Sequence, residues 1–511
     1  MTPTTFNQKK ILVCGMAKSG QSIVKLLSKL GAIVTAQDEK KEINFDITDI
    51  TDITDISLDI TSEENKNKIT LLLGQNPDDE IIKTFDLIII SPGVPFDLPF
   101  LEKARALGIP VWGEIELAYL LCPCPIIAIT GTNGKTTVTT LVGDILNSYN
   151  NKTVTLGNIG TPFTERVNSL NPDNIVVAEV SSFQLETTHD FAPKISAVLN
   201  LTPDHLDRHK TMDIYQYTKE RIFAKQKPND LSKPSNPSKP NDLNDPSNQN
   251  DYAILGYDNL ITRAMKPPCD TIYFSAKEKL AEGIFLENGM ICARLPKLFG
   301  GDTKIVKIVD VNKTHILPEN ALAATALCLC AGVPGEVIAK GLMDFKGVPH
   351  RIEYVTTIGD IEFYNDSKAT NTDSAIKGLE AMKRPVVLIG GGSDKQADFT
   401  DWVQQFEQVE TQKSENKVNE VNEVSKVSKV NKVKHLIVLG EVADQIIDTC
   451  NANGYKNYTK ADSLKNAVNL AYKKAQAGDC ILLSPACASF DMFDNFEQRG
   501  DMFKDLVTAL R

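Results

Sequence analysis

The chain has 511 residues, 42% of them apolar, and a net charge of −11. At roughly 150 residues per domain it holds two to four domains, each with enough apolar residues for a core of its own. The acidic balance excludes nonspecific nucleic-acid binding, so any anionic ligand must be held by local loops, helix ends and metals against a repulsive overall field.

The first predicted element is a strand over Lys10–Cys14, which runs into Gly15-Met16-Ala17-Lys18-Ser19-Gly20. A helix through Leu30 follows, capped by Gly31, and a second strand over Ala32–Ala36 leads to Asp38. This β-α-β unit carries Gly-x-x-x-x-Gly rather than Gly-x-Gly-x-x-Gly, a departure from the dinucleotide fingerprint that weighs against a nicotinamide dehydrogenase. Asp86–Ile90 is another strand, ending in Ser91-Pro92-Gly93. In open α/β sheets ligands lie at the carboxyl ends of strands, so these loops face one crevice.

The phosphate-binding signal is Ile126-Ile-Ala-Ile-Thr-Gly-Thr-Asn-Gly-Lys-Thr-Thr137, a β-branched run, a glycine turn and a helical segment over Val138–Leu146. Backbone N–H groups and a helix N-terminus cradle an anion there, with Lys135 for the outer phosphates and the Thr136 hydroxyl for Mg2+. The general pattern places a glycine where Ile129 stands, so the loop is a compact variant built on Gly131 and Gly134. A strand over Asn151–Leu156 leads to Gly157-Asn158-Ile159-Gly160. Ile175 begins a strand that ends in Glu179, the usual way to hold Mg2+ beside a phosphate loop. Ile195–Leu199 delivers Asp204-His205, and the helical segment Asp213–Phe223 carries Lys219, which by itself reads as a solvated helix residue. An Ala-rich helix spans Leu317–Ala331, and a boundary falls at Gly347–Arg351. Beyond it come strands over Pro385–Ile389, His435–Leu439 and Asp479–Ser484.

Three stretches fit neither element period. They are the Asp-Ile-Thr repeat around 44–62, a Pro/Asn/Asp/Ser/Lys segment around 228–250, and a segment around 408–434 whose valines recur every third residue. On a helix those valines would wind round the axis without forming a face. All three are expected to be surface insertions, the second of them disordered. The ten cysteines include Cys122-Pro-Cys124 and Cys328-Leu-Cys330 but no Cys-x-x-Cys pairs at zinc spacing. Most are expected to be small buried residues in a reducing compartment. No signal region precedes Ile11, and the apolar stretch Ala321–Val333 falls short of the ~20 residues a bilayer requires. A cytoplasmic protein with no membrane partner is expected.

Together these residues resemble the Mur ligases of peptidoglycan synthesis. Thr130–Thr137 and His350-Arg351 match the family at large. Glu179-Val-Ser-Ser-Phe-Gln-Leu-Glu186, Tyr364-Asn-Asp-Ser-Lys-Ala-Thr-Asn371, Ser484–Asp491 and Asn495–Gly500 match its D-glutamate-adding branch. The resemblance implies three α/β domains. These are a Rossmann-like N-terminal domain (1–113), a central P-loop ATPase-like domain with a mostly parallel sheet (114–346) and a C-terminal Rossmann-like domain (347–511). It implies that ATP activates the carboxylate of UDP-N-acetylmuramoyl-L-alanine as an acyl phosphate, which the amine of D-glutamate then attacks. It also implies a monomer.

By the same resemblance Gly131, Thr132, Asn133, Gly134, Lys135, Thr136 and Thr137 hold the ATP phosphates, with adenine and ribose near Asn320, Arg351 and Asp366. Thr136 and Glu179 hold one Mg2+, while His205 and Lys219, carbamylated by CO2, serve a second. Carbamylation requires the neutral amine, which burial or nearby cations favour. The UDP-linked substrate falls to Gly15, Ser19, Gly20, Asp38, Ser91, Pro92, Gly93 and Asn158. D-Glutamate falls to Thr370, Lys395, Ser489 and Phe496, with Lys368 assisting at the phosphate. Two positions depart from the pattern: Leu317 stands where the family has Asn, and Phe490 where a smaller aliphatic side chain is common. The competing readings are a Mur-type ligase or folylpolyglutamate synthetase relative with another acceptor, and a regulatory NTPase that hydrolyses ATP without ligation.

Overall fold

A computed structural model describes residues 3–43, 56–57, 69–158, 160–228, 243, 250–296, 298–299, 301–314, 316–393, 398–411 and 427–510. The chain divides into two compact units, Met1–Phe345 and Lys346–Arg511.

The first unit holds two sheets. One is six-stranded and parallel, in the order Ile56–Ser57, Ile69–Leu73, Ile33–Asp38, Lys10–Cys14, Leu87–Ile90, Val111–Gly113. The other has nine strands, in the order Val306–Asp310, Met290–Arg294, Gly283–Glu287, Asp270–Ser275, Tyr252–Gly256, Ile195–Val198, Ile126–Thr130, Ile175–Glu179, Thr153–Gly157. Its strands run parallel except at the edge, where Gly283–Glu287, Met290–Arg294 and Val306–Asp310 form an antiparallel meander. The central strands are continuous apolar runs because helices cover both faces of a parallel sheet. One buried cluster joins the two sheets. It includes Ile11 and Val13 of the first, Ala128 and Val176 of the second, and Ile115 and Leu117 of the helix Glu114–Leu121 between them. That shared core is why both sheets fall in one unit.

The second unit is built on a sheet in the order Glu353–Ile358, Ile361–Asn365, Cys480–Leu483, Val386–Gly391, Val433–Leu439, Tyr458–Lys460, antiparallel only at its first pair. Side chains alternate across it. Leu388 and Leu482 pack with Trp402 and Phe406 on one face, while Ile389 and Ile481 pack with Phe503 and Val507 on the other.

One expectation is corrected here. The 408–434 stretch has regular structure at its ends. Glu407–Thr411 pairs antiparallel with Val427–Asn431, and Val433–Leu439 joins the main sheet. Valine is β-branched and favours extended backbone over helix. The expectation that most cysteines are buried holds: seven are, and Cys122, Cys124 and Cys269 are half-buried. Residues 44–55, 58–68, 229–242 and 244–249 of the other two insertions lie outside the described residues.

Candidate active site

Strand Ile126–Thr130 lies inside its sheet, paired on both sides, and is fully buried, which fixes where the following loop begins. Gly131 and Gly134 take φ of +151° and +84°, a region L side chains rarely adopt. A Cβ at Gly134 would also run into Oδ1 of Asn320, at the start of the helix Pro318–Cys330. Gly134→Ala is therefore expected to cost about 1–3 kcal/mol of unfolding free energy, read by urea denaturation. Asn200 clamps the loop from the neighbouring strand end. Its Oδ1 accepts from Asn133 N at 2.8 Å, and its Nδ2 donates to Asn133 O at 3.1 Å. Lys135 opens the helix Lys135–Asn150 and lays its ammonium on the carbonyls of Gly131 (3.0 Å) and Thr132 (2.8 Å). Thr132, Asn133, Thr136 and Thr137 are all buried.

Lys219 corrects the sequence reading most sharply. It is 1% exposed, not solvated. Its Nζ donates to Thr130 Oγ1 at 3.2 Å and to Gly131 O at 3.0 Å, directly beneath the phosphate loop. Burial pushes its pKa well below the usual lysine range. The Lys135 charge pushes the same way, and Asp204 and Glu179 pull back. Tyr215, one turn earlier, is buried with its ring centroid 4.9 Å from Nζ, and its hydroxyl meets Thr132 Oγ1 at 3.3 Å.

Glu179 ends its strand buried beside the loop. Oε1 accepts from Asn158 Nδ2 at 2.9 Å, while Oε2 is buried without a hydrogen-bond partner. A buried anionic oxygen left unpaired is costly, and a cation would satisfy it. Among the described residues no group of three or more His, Cys, Asp and Glu side chains stands ready to hold a metal. His205 sits at φ +55° opening the short turn Leu206–His209. Its Nε2 is 3.6 Å from Asp204 Oδ2 and its ring packs edge-on against Phe183 at 4.9 Å.

Sequence reading missed several groups here. Glu114 is fully buried at the start of its helix. It accepts from Thr164 N (3.1 Å), Thr164 Oγ1 (3.3 Å) and Gln184 Nε2 (3.0 Å). Gln184 in turn closes a capping box on Ser181, two residues after Glu179. Arg208 grips Glu186 through Nε and Nη2 and donates to the carbonyls of Pro92 (3.1 Å) and Val94 (3.0 Å), which fixes the Ser91–Gly93 loop. No motif pattern points to Glu114 or Arg208, because their partners are distant in sequence.

At the N-terminal crevice Asp38 Oδ2 accepts from Met16 N at 2.7 Å and Ser91 Oγ donates to Gly15 O at 2.7 Å. Gly20 is required because a Cβ there would strike Gly15 O. Ser19 is half-buried and Gly93 exposed. Lys18 Nζ donates to Gly160 O at 2.6 Å, which ties this turn to the loop that carries Asn158.

In the second unit Asp366 is buried. Its Oδ2 accepts from Ser484 Oγ at 2.8 Å and its Oδ1 from Ile352 N at 3.2 Å. Burial pushes this carboxyl from 3.8 up to about 7, against the pull of Arg351, Ser484 and Arg499. A raised carboxyl pKa gives stability that is complete below the unfolded value and lost as pH rises through the folded one. Asp366→Asn carries no such charge. Relative to the parent it is expected to gain about 2–3 kcal/mol between pH 5 and pH 8, measured by chemical denaturation. Lys368 Nζ lies 4.9 Å from the centroid of the Phe496 ring, Thr370 is half-buried and Ser489 is buried. Arg499, 3% exposed, lies within the Asn495–Gly500 motif but was given no role by the sequence reading. It donates to Ser367 Oγ (2.9 Å), Ser367 O (2.8 Å), Cys487 O (3.2 Å) and Ala488 O (3.2 Å). Lys395 lies outside the described residues. Of the two departures, Leu317 is the N-cap of its helix with Pro318 following, and Phe490 is 74% exposed.

Three family models match the chain. The Mur ligase MurD-like N-terminal domain matches residues 9–113, the Mur ligase middle domain 129–237, and the Mur ligase glutamate ligase domain 350–487. The UDP-N-acetylmuramoylalanine--D-glutamate ligase of Alkaliphilus metalliredigens is 40% identical, covering 98% of each chain. That of Alkaliphilus oremlandii is 41% identical, covering 99% of each. Among solved structures, a pseudomurein peptide ligase type C from Methanothermus fervidus (16% identity) and the UDP-N-acetylmuramate-alanine ligase of Thermotoga maritima (17% identity) share the fold. Both have a TM-score of 0.53 and cover 99% of this chain and 100% of their own. By these matches along nearly its whole length, the chain belongs to the Mur ligase family.

Proposed function

We propose that this protein is the ATP-dependent ligase that adds D-glutamate to UDP-N-acetylmuramoyl-L-alanine in peptidoglycan precursor synthesis. The observation that carries this reading is full-length identity of about 40% to ligases named for that reaction. ATP is its co-substrate and Mg2+ its metal.

The alanyl carboxylate attacks the γ-phosphorus of ATP, ADP leaves, and the acyl phosphate forms. The amine of D-glutamate then attacks the acyl carbon and expels phosphate, losing a proton as the amide forms. The first step joins two anions, so cationic groups must neutralise the growing charge. Lys135 would supply its ammonium to the phosphates, within the cradle formed by Gly131–Thr137. Mg2+, when bound, supplies charge neutralisation between carboxylate and phosphate. Thr136 and the unpaired Oε2 of Glu179 suit one ion, with Asn158 orienting the other carboxylate oxygen. His205 and Lys219 suit a second ion only if Lys219 carries an anionic oxygen. Burial favours the neutral amine, the form that adds to CO2 as a carbamate.

Asn320, Arg351 and Asp366 would take adenine and ribose. The N-terminal crevice at Gly15–Gly20, Asp38 and Ser91–Gly93 would take the UDP group. Thr370, Lys395, Ser489 and Phe496 would fix D-glutamate, whose two carboxylates call for cationic and N–H donors, and Lys368 would steady the departing phosphate. We infer a cytoplasmic monomer. Among the described residues no helix is long and apolar enough to cross a membrane.

The test is phosphate release from ATP measured with each acceptor omitted in turn. Release is expected only with the UDP-linked substrate and D-glutamate both present. Steady turnover of ATP alone would instead mark a regulatory NTPase.

A further inference from the structure

Cys122 and Cys124 flank Pro123 in the short connector between the helix Glu114–Leu121 and the phosphate-loop strand Ile126–Thr130. They differ from most cysteines of the chain in being half-buried rather than enclosed in a core. Cys122 is extended, at φ −72° and ψ 123°, as the residue before a proline must be. In extended backbone residues i and i+2 point to the same side, and here the two sulfurs stand 3.5 Å apart. The Cys122 thiol also lies 3.4 Å from the Cys124 carbonyl oxygen. A disulfide needs the sulfurs at about 2.05 Å, so about 1.5 Å of combined sulfur movement separates this dithiol from the bond. The hydrogen bond between the thiols favours the thiolate at Cys122 and holds the proton on Cys124, which separates an attacking sulfur from a resolving one.

We propose that Cys122 and Cys124 form a redox-active dithiol site whose co-reactant is a low-molecular-weight disulfide. The Cys122 thiolate attacks one sulfur of that disulfide, forms a mixed disulfide and releases one small thiolate. The Cys124 thiol, giving up its proton, then attacks the Cys122 sulfur and releases the second small thiolate. The protein loses two electrons and two protons, and the small disulfide is reduced to two thiols. Of the remaining cysteines seven are enclosed, and Cys269 donates to Gln226 Oε1 at 3.3 Å.

The experiment uses the full chain, fully reduced and then incubated with oxidised glutathione. Free thiols are alkylated, and the non-reduced digest is read by mass spectrometry. The expected result is a peptide spanning 122–124 that is lighter by two hydrogens and carries no alkyl group, with the other eight cysteines alkylated. In Cys124→Ser the reaction is expected to stop at the mixed disulfide, with glutathione on Cys122. Alkylation of both Cys122 and Cys124 after incubation would overturn the proposal. So would a glutathione adduct that persists on either residue in the parent chain.

Discussion

Replacing Lys219 by Ala is expected to lower kcat for phosphate release by about 10^3-fold or more, the scale at which metal-ligand and charge-stabilising groups act. The reason lies in where the side chain sits. An ammonium 1% exposed beneath the phosphate loop, near Lys135, is an expensive placement unless its neutral form has a use. As a carbamate it would offer anionic oxygens to the second cation proposed above for His205 and Lys219. The loss should therefore be chemical and not architectural. The variant should keep its circular dichroism well below its melting transition, which is expected to fall because a cavity and two acceptors without the Lys219 donor remain. A short carboxylate such as acetate or formate, filling the space left by the side chain, should restore part of the rate. Removal of CO2 and bicarbonate should slow the parent enzyme and leave the variant unchanged. Full activity in Lys219→Ala would remove the carbamate from the account.

Arg499→Met is expected to destabilise the second unit by about 2–4 kcal/mol and to raise the KM for D-glutamate by more than about tenfold. The guanidinium donates to Ser367 and to the carbonyls of Cys487 and Ala488, and so ties the Asp366–Thr370 segment to the Ser484–Ser489 loop. Without it several buried acceptors lose their donor, at roughly 1–3 kcal/mol each, partly offset because the buried charge is itself disfavoured. Burial already lowers the Arg499 pKa to about 10. Arg499→Lys keeps the charge but not the planar fork, and should recover stability only in part. Denaturant titration reads the first effect. The KM for D-glutamate, set against an unchanged KM for the UDP-linked substrate, reads the second. An unchanged D-glutamate KM would show that Arg499 does not position the loop bearing Ser489.

The contrast between these two residues marks what the sequence made legible. The phosphate loop was readable because its chemistry is local: a β-branched strand, glycines where φ must be positive, then Lys-Thr-Thr opening a helix. Strands such as Lys10–Cys14 and Ile175–Glu179 were readable as uninterrupted apolar runs. The meander Gly283–Asp310 was not, since a half-exposed edge alternates weakly and its turn signals resemble those of any loop. Lys219 sits on Met212–Glu220 among Tyr217, Thr218 and Glu220, a pattern that looks solvated. Its burial comes from Tyr215 and the phosphate loop, which are brought together only in the fold. The roles of Glu114, Arg208 and Arg499 were not readable for the same reason: each has partners distant in sequence, up to 70, 116 and 132 residues away respectively. The low-complexity segments were recognised by composition. The paired strands at the ends of the third were not, because a three-residue valine spacing matches neither period while still permitting extended backbone.

The central claim, that this chain ligates D-glutamate to the UDP-linked alanyl substrate, is tested most directly by the amino-acid dependence of phosphate release. With ATP, Mg2+ and UDP-N-acetylmuramoyl-L-alanine present, D-glutamate, L-glutamate, L-alanine and meso-diaminopimelate are compared at equal concentration. The account predicts sustained release with D-glutamate alone, matched one for one by the D-glutamyl product in mass spectrometry. Equal or faster release with any of the other three, accompanied by its own ligated product, would contradict it.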